Sequence, residues 1–174
     1  MIVDAVKVGL LVFVAAVAQT SVFSGTEILG GTPDVLLVTV VAAALVRGAT
    51  VGACAGFFGG LVVDVALLDT LGVTSLLLTL AGYWAGRYGE TGPSTRRYAP
   101  YLAVAVMTVL YLAGALVLRF MLGEPAPAQA VLVETLAQTL ALNLLVMWPV
   151  FAIVRRLLPR RTVATFGPEV SVVG

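Results

Sequence analysis

The stretch from residue 33 to residue 87 constrains the fold more than any other part of the chain. It consists of three apolar segments that are separated by only one or two charged residues. Such a run has no side that could face water, so its solvent must be lipid. Asp64 lies within the run, and ionisable groups at membrane depth are costly and usually have a function. The sequence therefore predicts an integral membrane protein.

Composition agrees with this prediction. Of the 174 residues, 60% are hydrophobic and 11% are charged, and the mean hydropathy is +1.08, whereas a soluble domain carries about 25% charged residues. The length leaves room for several spans of about 20 residues and almost nothing else. We expect an all-α polytopic membrane protein with one domain over residues 1–161 and a flexible cytoplasmic tail over residues 162–174.

The residue types that are missing exclude several kinds of active site. Histidine is absent, which removes His-based acid–base catalysis, Ser-His triads and most zinc sites. The single cysteine, Cys54, cannot form an intramolecular disulfide. We find no phosphate-binding loop, metal-ligand cluster or nucleophile–base pair in the sequence. We therefore expect a protein that is not an enzyme, needs no cofactor and does not bind nucleic acid.

Long apolar runs predict six membrane-spanning helices. The second run is short, because the 12 residues from Val35 to Val46 span about 18 Å at 1.5 Å per residue, against a hydrocarbon core of about 30 Å. This helix is either a short tilted span or part of a re-entrant pair with the third. The six runs cover residues 6–23, 34–46, 49–68, 70–86, 99–122 and 130–154.

Two short motifs predict the ends of the second helix. Thr32 is expected to cap its N-terminus, with Pro33 as the first helical residue and Asp34 near the positive end of the helix dipole. Arg47 and Gly48 are expected to form the turn into the third helix.

The basic residues predict the orientation in the membrane. If the N-terminus is cytoplasmic, all of the ten basic residues except Arg119 lie on the cytoplasmic side, as the positive-inside rule requires. Both termini are therefore predicted to be cytoplasmic. After the sixth run, a basic cluster is expected to bind anionic lipid and fix the topology; it consists of Arg155, Arg156, Arg160 and Arg161.

The third run carries a stripe of small residues. Gly52, Gly56 and Gly60 recur every four residues, so each lies about 40° around the helix from the last. Such stripes let another helix approach closely, and the neighbour is either a span of the same chain, which we favour, or a partner's helix. Asp64 continues the stripe and is expected to fasten this interface, with Arg119 as a candidate ion-pair partner.

The order and spacing of these motifs resemble the MreD family of bacterial rod shape-determining membrane proteins. The specific resemblance covers residues 33–87, and the six apolar runs and cytoplasmic termini also match. The motifs that carry it are Pro33-Asp34, Arg47-Gly48, Gly52, Gly56, Gly60, Asp64, Gly72 and Gly82-Tyr83-x-x-Gly86.

This resemblance implies a non-enzymatic scaffold of the cell-wall elongation machinery in the bacterial cytoplasmic membrane. It implies binding to an MreC-like single-span protein, with the MreB filament and the peptidoglycan synthases contacted directly or indirectly. It also implies a six-helix bundle similar to the substrate-binding subunits of energy-coupling-factor transporters. Pairing of two copies of the chain is left open by the sequence.

The similarity to transporter subunits supplies an alternative function, namely binding of a small molecule such as a vitamin. Those subunits dock their coupling protein through an Ala-x-x-x-Ala motif on the first span. Here the first span offers Ala5-x-x-x-Gly9 and Ala15-x-x-x-Gln19, so the motif is absent. The outer loops also lack a cluster of polar residues suited to a vitamin. The scaffold is the favoured interpretation.

Overall fold

A computed structural model describes residues 2–23, 33–68, 70–91, 98–123 and 129–158. These residues form six α-helices and no strand, so the predicted all-α class and the predicted number of helices are confirmed. The helices are α1 (Ile2–Ala18, continued by a π-helical turn over Gln19–Phe23), α2 (Val35–Arg47), α3 (Ala49–Leu67), α4 (Val73–Thr91), α5 (Ala99–Met121) and α6 (Gln129–Leu157).

Four segments of the described residues are long and apolar enough to cross a membrane. They are Asp4–Ser21, Ala49–Leu67, Ala99–Met121 and Glu134–Leu157. The second helix, at 13 residues, is a shorter apolar helix, and α4 is 19 residues long but carries serine, threonine and charged residues. A multi-pass membrane protein is therefore established, and full crossing by α2 and α4 stays a prediction.

The short helix α2 lies at the centre of the bundle. It contacts each of the other five helices, and its ten residues from Leu36 to Leu45 are all buried. A helix that is apolar all round is expected to be enclosed on every side. Because protein rather than lipid surrounds α2, its ends can lie below the membrane surface without exposing backbone groups to hydrocarbon.

The outer surface of the bundle is apolar. Large hydrophobic side chains are widely exposed on the surrounding helices, including Leu10 on α1, Phe58 on α3, Val117 on α5 and Trp148 on α6. Exposed apolar patches of this extent are rare on monomeric soluble proteins. This distribution agrees with a surface that faces lipid.

The fourth helix differs from its predicted position, residues 70–86. It begins at Val73 and continues to Thr91, so it starts later and ends later than expected. Its start follows Gly72, which has a φ of 96° that favours glycine. Its last turns contain an ion pair between Arg87 and Glu90, whose nearest atoms are 3.4 Å apart.

Candidate functional site: a glycine interface and the ends of a buried helix

The glycine stripe of α3 packs against α4 of the same chain. A side chain at Gly52 would collide with the carbonyl oxygen of Gly82, and a side chain at Gly82 would collide with the carbonyl oxygen of Gly52. One turn further along, a side chain at Gly86 would collide with the backbone of Ala49. The two helices therefore meet backbone against backbone at this end.

The same contact continues along both helices. Side chains at Gly56 and Gly60 would collide with the backbones of Leu78 and Ser75, respectively. The Ser75 hydroxyl also donates a hydrogen bond to the carbonyl oxygen of Phe57 on α3, at 2.9 Å. All three glycines of the predicted stripe thus face one antiparallel partner helix, which is the internal arrangement that the sequence favoured.

Sequence reasoning did not assign the α4 half of this interface. Gly82 and Gly86 are four residues apart, as are the glycines of α3, and that spacing was the available signal. Gly59 lies at the edge of the stripe, where a side chain would lie 2.7 Å from Val12 of α1 and 3.0 Å from Leu36 of α2. Small residues therefore bring α3 close to three other helices.

Asp64 lies at the end of the glycine interface where Gly60 meets Ser75. Its Oδ2 atom accepts hydrogen bonds from the backbone N–H groups of Gly72, at 2.8 Å, and Ser75, at 3.4 Å. The residue is 1% exposed, and its Oδ1 atom has no hydrogen-bond partner among the described residues. A carboxylate at this position interacts favourably with the positive end of a helix dipole. Asp64 therefore joins α3 to the first turn of α4, and an ion pair with Arg119 stays a prediction.

The N-terminus of α2 is capped by Asp34, not by Thr32 as the sequence predicted. The Asp34 Oδ1 atom accepts the N–H of Leu37 at 3.0 Å, and the helix begins at Val35, two residues after the predicted first helical residue. Pro33 consequently precedes the cap and is not the first helical residue. Aspartate caps helices at least as well as threonine, so the shift of two residues needs no loss of capping.

Two distant side chains complete this cap, and sequence reasoning assigned neither to it. Asn143 of α6 accepts the N–H of Asp34 through Oδ1 at 2.8 Å and donates through Nδ2 to the hydroxyl of Thr108 on α5 at 3.1 Å. Gln19 accepts the N–H of Leu36 at 3.2 Å. Asn143 and Thr108 are both fully buried. Asn143, Gln19 and the Asp34 side chain therefore accept N–H groups that a helix start leaves unpaired.

The C-terminus of α2 is fixed by charged residues from other helices. Arg47 forms an ion pair with Asp4 of α1, with 2.7 Å between Nη2 and Oδ1, and the Arg47 side chain is only 8% exposed. Gly48 has a φ of 96° and turns the chain into α3, whose first N–H, on Ala49, donates to Oε1 of Glu90 at 2.8 Å. The predicted turn at Arg47 and Gly48 is thus held by α1 and α4.

The basic cluster after the sixth helix is only partly within the described residues. Arg155 and Arg156 are exposed in the last turn of α6, and the Arg155 guanidinium carbon lies 5.7 Å from the centre of the Phe151 ring. Arg160 and Arg161 lie outside the described residues. Lipid anchoring by this cluster stays a prediction.

Two concave sites lie between α4 and α5. The smaller, of about 40 Å³, includes polar groups of Thr70, Thr74, Tyr111 and Arg119. The larger, of about 430 Å³, is an apolar groove that we call the α4–α5 groove. It is lined by Trp84, Tyr88, Leu102, Ala103, Val106, Met107 and Leu110.

Most of the buried polar side chains described above bond to a neighbouring helix, whereas Thr39 bonds to the Val35 carbonyl within α2. Among the described residues, no group of three or more acidic residues or cysteines could hold a metal ion, and the buried polar side chains Thr39, Asp64, Ser75, Thr108 and Asn143 bond to backbone or to one another. The fold and the site therefore define a multi-pass helical membrane protein whose helices are joined by hydrogen bonds between buried groups.

A comparison with protein families identifies the family within this class. The family model described as rod shape-determining protein MreD matches residues 2–160, which is nearly the whole chain and extends well beyond the motifs in residues 33–87. The chain belongs to the MreD family. No curated protein and no solved structure matches the chain, so the expected likeness to energy-coupling-factor subunits stays a prediction.

Proposed function

We propose that this protein is a non-enzymatic scaffold of the bacterial cell-wall elongation machinery and helps to maintain rod shape. The observation that carries the proposal is the match of the rod shape-determining family to residues 2–160. A multi-pass bundle with a wide apolar surface suits a role in which the protein holds other membrane components in place.

The arrangement of polar groups supports a scaffold. Buried side chains such as Asp64 and Asn143 bond to neighbouring helices, and a catalytic group would instead need to be directed at a substrate. The partner in the proposal is an MreC-like single-span protein that lies alongside the bundle. The MreB filament and the peptidoglycan synthases are contacted directly or through that partner.

Depletion and affinity purification test the scaffold. In the bacterium that carries this chain, we expect its depletion to convert rods into rounded cells, and a tagged copy to restore the rods. The tagged copy, purified from native membranes, is expected to bring an MreC-like single-span protein with it, whereas a tagged unrelated multi-pass protein is not. Rods that persist without the chain, or recovery of an ATP-driven transport module in place of the single-span protein, would contradict the proposal.

The proposal also places both termini in the cytoplasm of a bacterial cytoplasmic membrane. Single cysteines introduced in a Cys54→Ala background report the orientation through a membrane-impermeant thiol reagent. Cysteines at positions 26 and 126 are expected to react in intact cells, and a cysteine at position 94 is expected to react only after the cells are lysed. Labelling of position 94 in intact cells would reverse the orientation.

A further inference from the structure

We draw no further inference here: the strongest candidate, the small polar pocket between the start of α4 and the second half of α5, carries no proposal, because Thr70 and Arg119 in its lining already interact with other groups of the chain and nothing in the structure shows what occupies it.

Discussion

Helix α4 packs closely against α3 on one side and leaves a groove against α5 on the other. Towards α3, Gly82 and Gly86 face Gly52 and Ala49, and the two backbones touch. Towards α5, larger side chains such as Trp84 and Met107 line a groove of about 430 Å³ that stays open between the helices. In lipid the hydrophobic effect does not hold helices together, so the size of the facing residues decides whether a contact closes.

This contrast indicates where the bundle tolerates change. On the closed side, added atoms meet main-chain atoms that can move only if a whole helix shifts. On the open side, added atoms meet lipid or flexible side chains. Three predictions test the contrast, from the largest expected effect to the smallest, each by thermal unfolding of the purified chain in detergent.

Gly56→Ile should have the largest effect. The new side chain would collide with the Leu78 backbone, so we expect a loss of about 3 kcal/mol or more of unfolding free energy and a fall in Tm of roughly 10 °C. Gly9→Ile on α1 is the matched control, because a side chain there meets nothing within 4 Å. An unchanged Tm for Gly56→Ile would mean that α3 and α4 do not make this contact.

Asp64→Leu should be the next most damaging change. It removes the acceptor for the N–H groups of Gly72 and Ser75 and should cost about 2–3 kcal/mol. Asp64→Asn keeps an acceptor oxygen, and we expect it to lose about half as much. If the two variants unfolded at the same temperature as the wild type, the cap on α4 would not contribute to stability.

The smallest effect should come from the open side. Val106→Phe adds a large group to the groove and, without added lipid, should change the unfolding free energy by less than about 0.5 kcal/mol. Gly82→Ala adds a single methyl group on the closed side, where it would collide with Gly52, and should cost about 1–3 kcal/mol. A larger loss for Val106→Phe than for Gly82→Ala would reverse the comparison.

Sequence patterns of short range were sufficient for much of this fold. The six helices follow from apolar runs, and the stripe of Gly52, Gly56 and Gly60 follows from a four-residue period. The complete burial of α2 could be predicted in part, because residues 35–46 have no polar face. These features depend only on neighbours within a few turns of one helix.

The hydrogen bonds between helices could not be predicted, because the two residues of each bond are far apart in the chain. Asn143 and Asp34 are 109 residues apart, and Glu90 and Ala49 are 41 apart. A single buried amide or carboxylate carries no information about which helix end it will reach. The shift of the α2 cap from Thr32 to Asp34 has a different origin, since two good capping residues flank Pro33 and only the packing of the bundle selects one.

The central position of α2 has a consequence for biosynthesis. This helix leaves the ribosome second, yet the amide of Asn143 that pairs with its first turn arrives more than 100 residues later. At 13 residues, about 20 Å, α2 is too short to be stable in lipid by itself. The packing around α2 is therefore incomplete until α5 and α6 have been inserted, and a product truncated before residue 143 would leave the N–H of Asp34 without its partner.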